Sequence, residues 1–159
     1  MQKYRILFVC MVNICRSPMA EYLLRSLCAG RSPGNPVGVE VRSAGLMNTT
    51  GTDASDQVLM VMRERGIDMS RHKAKQVDSE LVDWADLILC MEQFHLEAMQ
   101  KEFSRACAKI YLLTEYCGSS GDIIDPTGRN YRFFSECANQ MEELLCRLLD
   151  KLPAAASRS

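Results

Sequence analysis

An excess of charge of one sign is missing from this 159-residue chain: 19 basic side chains stand against 20 acidic ones, a net charge of −1. No basic surplus is left for a phosphate backbone or an anionic bilayer, so neither nucleic acid nor a membrane is expected as a partner. Long apolar runs are missing too. The one that opens at Ile6 stops too soon for the core of a secretory leader or a membrane span, and a cytoplasmic location is the expectation. Eight cysteines are present, but no Cys-x2-Cys pair. Such scattered spacing argues against a disulfide framework and against zinc ligation. Cys28, Cys137 and Cys146 fall at helix-core spacing and read as small buried hydrophobes in a reducing compartment. Internal repeats and low-complexity segments are absent as well.

What is present is an alternation of short apolar runs with helical patterns. Residues 4–9 read as a strand buried on both faces, 39–41 as a second running into Ser43-Ala44-Gly45, 86–91 as a third and 109–113 as a fourth. Between them lie helical stretches. The first carries Ala20, Leu23, Leu24 and Leu27 on one face, and the second is capped by Asp53 or Ser55 and closed by Gly66. Shorter patterns cover 77–85, with Trp84 as a core residue, and 92–103; a long one runs from 131 to 152. Residues 31–38 are rich in Gly and Pro and read as a loop. The alternation implies a parallel sheet covered on both faces. The expected fold is an α/β three-layer sandwich with a central four-stranded parallel sheet and helices on both faces. One domain is expected over 1–152, followed by a disordered tail over 153–159.

The chain is organised around the stretch from Val9 to Pro18, where the first strand hands over to the first helix. A helix N-terminus offers unpaired N–H groups and a positive dipole end, which together attract anions. Ser17-Pro18 reads as an N-cap followed by proline at the first helical position. Cys10 closes the strand, and Arg16 is near enough to fold back over the same loop. Both neighbours favour a thiolate over a thiol. A tetrahedral dianion would meet a nest of N–H donors and a bidentate guanidinium. The loop therefore reads as a nucleophile in an oxyanion cradle, suited to phosphoryl transfer. His72 lies in a connection with no acidic partner nearby in sequence, and is read as a loop-bonding histidine rather than a base.

Cys-x5-Arg-Ser-Pro after an N-terminal strand resembles the signature of the low-molecular-weight protein tyrosine phosphatases, Val-Cys-x-Gly-Asn-x-Cys-Arg-Ser-Pro. The resemblance extends to Ser43-Ala44-Gly45, to Gly66-Ile67-Asp68 through Gln76, to the run from Asp86 to Met91, and to Asp125-Pro126. It covers residues 4–150. It implies a phosphomonoesterase acting on phosphotyrosine in proteins, and on aryl phosphates, through a phosphocysteine. Cys10 would be the nucleophile, Arg16 the phosphate clamp and Asp125 the general acid. The N–H groups of Met11, Val12, Asn13, Ile14, Cys15 and Arg16 would hold the phosphate oxygens. Asn13 and Ser43 would support the loop, Asn13 from a left-handed backbone, and Ser17 would donate to the thiolate. Cys15 would be a redox partner able to trap an oxidised Cys10. A phosphorylated protein and inorganic phosphate or another oxyanion are the expected partners; no cofactor and no metal are expected.

The sequence departs from the family in three places. Val12 replaces the signature glycine. Either that position needs only ordinary negative φ and valine fits, or it needs positive φ and the cradle is strained. The second case would leave a phosphate- or phosphopeptide-binding module with little turnover. Thr127-Gly128 and Asn48-Thr49-Thr50 stand where tyrosine-specific members carry aromatic rim residues. Ile14 stands where a related protein-arginine phosphatase branch carries threonine, and favours the tyrosine reading. Arsenate reduction is not expected, because Glu97 occupies the place of a second redox cysteine after Cys90.

Overall fold

The computed structural model describes residues 3–30 and 38–152. The loop expected over 31–38 lies outside the described residues except for Gly38, which is the first residue of a strand, and the tail expected over 153–159 lies outside them entirely. Strand β1 (Lys3–Cys10) is the centre of the sheet. Its apolar half is continuous rather than alternating, because both of its faces are covered. Ile6, Phe8 and Cys10 point to one face, Leu7 and Val9 to the other. Strands β2 (Gly38–Gly45) and β3 (Leu87–Cys90) flank β1, and β4 (Ile110–Leu112) lies beyond β3. All three pairings are parallel, giving the order β2-β1-β3-β4.

The first face is packed by α1 (Arg16–Ala29), α2 (Asp56–Glu64), α5 (Leu113–Tyr116) and α6 (Tyr131–Lys151). Met141, Leu145 and Leu148 of α6 are fully buried there. The second face is packed by α3 (Ser79–Trp84) and α4 (Gln93–Glu102), through Leu81, Val82, Leu96 and Met99. This is the expected three-layer α/β sandwich. Among the described residues, no helix is long and apolar enough to cross a membrane.

The chain leaves β1, forms β2 on one side of it, then returns to form β3 on the other. The connections therefore part at the C-terminal end of β1, the place where open parallel sheets bind ligands. Cys10 is the last residue of that strand.

Several local expectations change. The fourth strand is shorter than 109–113: Lys109 ends a 3-10 turn (Ser104–Lys109), and Leu113 opens the single-turn α5. The Lys109 ammonium is turned back onto the carbonyls of Val82 and Ala85, 2.6 Å from each, so its side chain closes α3. Trp84 is only half-buried, because the guanidinium of Arg42 lies 4.4 Å from its ring centre and that of Arg5 lies 5.9 Å away. Cys137 is buried, but Cys146 is exposed on α6 and Cys28 is half-buried.

β2 touches the loop after β1 at Gly45. A Cβ there would lie 2.9 Å from Met11 O and from the carbonyl carbon of Val12, and 3.0 Å from Asn13 N. These are backbone atoms, so the contact cannot relax by turning a side chain. Gly45→Ala is expected to cost about 1–3 kcal/mol in urea unfolding, the usual cost of overpacking. An unchanged midpoint would show that strand and loop do not meet this closely.

Candidate active site

The loop from Cys10 to Arg16 is held by its carbonyls. Leu46 N–H donates to Cys10 O at 3.0 Å, and Met47 N–H to Met11 O at 2.9 Å. The Thr49 hydroxyl donates to Val12 O at 2.6 Å, and His72 Nε2 lies 2.8 Å from Asn13 O. Ser55 N–H reaches Ile14 O at 2.9 Å, and Met19 N–H reaches Cys15 O at 3.0 Å. The six carbonyls are thus tied to the surrounding loops and to α1. In a trans peptide the N–H points opposite to the carbonyl, and no described peptide bond is cis. The N–H groups of residues 11–16 are therefore turned to the concave side, the arrangement of an anion nest.

Asn13 makes the turn possible. Its φ is 58°, and it is the one non-glycine residue with positive φ among those described. Both of its amide hydrogens are used, donating to Ser17 Oγ at 2.8 Å and Ser43 Oγ at 2.9 Å. Its Oδ1 accepts from Lys75 N–H at 3.1 Å. The Ser43 hydroxyl donates to Glu21 Oε1 at 2.5 Å, and Glu21 is ion-paired with Arg25. Ser17 Oγ lies 2.9 Å from Cys10 Sγ and 3.4 Å from Ala44 O. Ser17 Oγ accepts from Asn13 and donates to Ala44 O, and toward Cys10 Sγ it can donate to a thiolate or accept from a thiol.

This overturns the capping assignment for Ser17-Pro18. The helix starts two residues earlier, at Arg16, with Cys15 as N-cap and no side-chain cap bond. The Ser17 hydroxyl is not available as a cap because it faces Cys10 and Asn13. His72 is the loop-bonding residue expected. Burial lowers its pKa, so the ring is neutral and donates from Nε2.

Arg16 reaches the same end of the sheet with its side chain almost fully buried. Its NH1 is fixed by Glu92 Oε1 at 2.6 Å and by Ile123 O at 2.7 Å. Its NH2 lies 3.6 Å from Asp125 Oδ2. Asp125 is half-exposed and accepts from Thr127 N–H at 3.0 Å. Burial pushes the Asp125 carboxyl up, but the Thr127 bonds and the Arg16 guanidinium outweigh it and hold the pKa below the usual range. A dianion bound at Arg16 would place negative charge beside this carboxyl and raise it again, as a general acid requires.

The other thiols nearby are held neutral. Burial drives the Cys15 thiol far up, and lifts Cys90 and Cys137 to about 12 each. Cys15 faces the core on the same side of the sheet as Cys10. The structure thus gathers Cys10, Asn13, Arg16, Ser17, Ser43 and Asp125 at one edge. Glu21, Glu92, Ile123 and Lys75 are further members that the sequence reading did not identify. Glu92 had one usable signal, its place directly after the third strand, at the ligand-binding edge.

A cysteine at the switch point of a parallel sheet, facing a helix start and a fixed guanidinium, defines the class of cysteine-based phosphatases. The family described as low molecular weight phosphotyrosine protein phosphatase matches residues 5–158. A protein-arginine-phosphatase of Geobacillus stearothermophilus is 39% identical over 150 residues, covering 94% of this chain and 96% of the relative. The low molecular weight protein-tyrosine-phosphatase Ptp of Acinetobacter johnsonii is 38% identical over 136 residues, covering 86% and 89%. Among solved structures, a low molecular weight protein tyrosine phosphatase from T. tengcongensis superposes with a TM-score of 0.86 at 34% identity. That match covers 94% of this chain and 100% of the other. The chain belongs to the low molecular weight phosphotyrosine protein phosphatase family, whose members act on phosphorylated protein.

The positive φ in the loop falls on Asn13, and Val12 keeps ordinary backbone geometry. The signature glycine is therefore not needed here for its conformational freedom. Val12→Gly is expected to leave phosphate and vanadate inhibition within a few-fold of wild type. It should lower stability by about 0.4–1 kcal/mol through the unfolded chain. Inhibition constants and urea midpoints measured side by side check this; a variant that creates activity from an inert parent would mean that Val12 distorts the cradle.

Proposed function

We propose that this protein removes phosphate from phosphotyrosine in proteins, and from aryl phosphates, through a phosphocysteine on Cys10. The observation that carries this reading is the Cys10–Ser17 contact of 2.9 Å inside a loop whose carbonyls all face away. At that distance the serine hydroxyl can donate to a thiolate. The N–H groups of Met11, Val12, Asn13, Ile14, Cys15 and Arg16 hold the three non-bridging oxygens, and the Arg16 guanidinium grips two of them. Cys10 Sγ attacks phosphorus as the bond to the leaving oxygen breaks, and Asp125 gives that oxygen its proton. In the second step Asp125 takes a proton from water, water oxygen bonds to phosphorus, and the sulfur leaves as thiolate with release of inorganic phosphate. Asn13 and Ser43 keep the loop in shape, and Cys15 is the partner for reversible oxidation of Cys10. The unit is the domain over 1–152. Its cysteines are all free thiols, which suits a cytoplasmic setting.

Ile14 supports the aryl ester as substrate. Its hydrocarbon side chain can pack on a phenyl ring, and offers nothing to the N–H groups of a guanidine leaving group. Exposed apolar side chains at the same edge add to this: Met47, whose N–H binds Met11 O, and Ile124, next to Asp125. The second reading, a protein-arginine phosphatase, is favoured by the name of the Geobacillus stearothermophilus relative.

Two measurements test the proposal. Cys10→Ser is expected to abolish p-nitrophenyl phosphate hydrolysis while keeping phosphate binding; undiminished turnover would remove Cys10 from the nucleophile's role. Competition between phosphotyrosine and phosphoarginine peptides should give the higher kcat/KM for phosphotyrosine, and the reverse order would establish the second reading.

The general acid has its own signature. Asp125→Ala is expected to slow alkyl and unsubstituted phenyl phosphates about 10²–10⁴-fold, and activated aryl phosphates far less, since good leaving groups need no proton. Rates across a series of leaving groups read this directly. An equal loss throughout would make Asp125 a structural residue.

A further inference from the structure

His95 is a buried ionisable side chain to which the phosphatase reading gives no task. It lies in the first turn of α4, three residues after Glu92, with no solvent exposure. Its Nδ1 accepts the backbone N–H of Glu92 at 3.1 Å. A neutral imidazole that accepts at Nδ1 carries its proton on Nε2. That Nε2 is the one buried side-chain polar atom without a hydrogen-bond partner among the described residues. It is aimed at the carboxylate of Glu92, with Oε2 3.7 Å away. The other oxygen of the same carboxylate, Oε1, receives Arg16 NH1 at 2.6 Å. One carboxylate therefore stands between the phosphate clamp and an unused donor.

We propose that His95 is a positioning residue for the phosphatase reaction: its Nε2–H closes on Glu92 Oε2 when an oxyanion is bound, and so fixes the carboxylate that aims Arg16. This rests on the phosphatase reading. The gap exceeds a hydrogen bond by about half an ångström, within reach of a small rotation of the Glu92 side chain. Contacts in a catalytic site are often long without substrate and shorten in the complex. A buried donor left unmatched is unfavourable, which gives the closure its driving force. The ring needs no proton exchange to act. Burial first, then the Arg16 charge, hold its pKa down, against the raising influence of Glu92, Asp122 and Asp125. The neutral ring is thus the working form.

A merely structural role would lie in the other nitrogen, which caps α4 through the Glu92 N–H. Two variants separate the roles. His95→Asn places an acceptor near the Nδ1 position but is too short to reach the carboxylate. His95→Gln restores a donor near the Nε2 position and gives up the cap. The experiment measures inorganic phosphate binding by calorimetry, p-nitrophenyl phosphate turnover, and thermal unfolding. We expect His95→Asn to melt close to wild type, with phosphate affinity and kcat each reduced about tenfold. His95→Gln should melt lower, with phosphate affinity within about threefold of wild type. In a Glu92→Gln background, adding His95→Asn should change phosphate affinity less than about twofold, because the carboxylate it positions is gone. Wild-type affinity and kcat in His95→Asn, or the full tenfold loss persisting in Glu92→Gln, would overturn the proposal. A wild type that neither binds phosphate nor turns over would instead overturn the phosphatase reading itself, and this proposal with it.

Discussion

The site depends on where six consecutive carbonyls point. A loop that presents its N–H groups to a ligand must turn its carbonyls away, and each buried carbonyl then needs a donor. Here the donors come from three parts of the chain. The connection after β2 supplies Leu46, Met47, Thr49 and Ser55, the following connection supplies His72, and α1 supplies Met19. This explains why long stretches around 46–55 and 67–77 have little regular structure of their own. Their backbone conformation is set by the loop they serve. Gly45 belongs to the same constraint, since β2 could not approach the loop with a side chain there.

The second requirement is a buried cation that does not move. An arginine with 4% of its side chain exposed must have its charge met, or its burial would be prohibitive. Glu92 and the Ile123 carbonyl meet it from the connection between β3 and α4 and from the segment leading to Asp125. Both partners bind the same nitrogen. The other terminal nitrogen, NH2, is left out of that anchoring and lies beside Asp125. The thiols beside Cys10 follow an opposite logic. Cys15, Cys90 and Cys137 are buried among apolar groups that keep them protonated.

The fold was legible because its strands are apolar runs of strand length separated by helix-length patterns, and only a parallel sheet accommodates that alternation. The loop was legible because its residues are contiguous. Asn13 could be read in advance as the left-handed position, since few other side chains tolerate it. The helix start could not. Ser17-Pro18 has the composition of an N-cap and first turn, and nothing in a linear sequence shows that the serine hydroxyl is spent on a sulfur seven residues back. Glu21, Glu92 and Ile123 were hidden for a related reason. Their bonds span from 22 to 107 residues of chain, and a backbone carbonyl such as that of Ile123 has no residue-type signature. Trp84 was misplaced because its apolar ring suggests the core, while its planar face suits two guanidinium groups at the surface.

The displaced cap has a thermodynamic consequence. Helix α1 begins without a side-chain acceptor for its first N–H groups, although it forms the main support of the loop. The natural acceptor for those groups is the anion itself. An anion bound there would be ligand and helix cap at once, and would link folding to oxyanion activity by mass action. At a concentration one hundred times its Kd, such an anion adds about 2.7 kcal/mol to the folded state. The intrinsic stability of this chain is therefore a quantity defined only at a stated phosphate concentration.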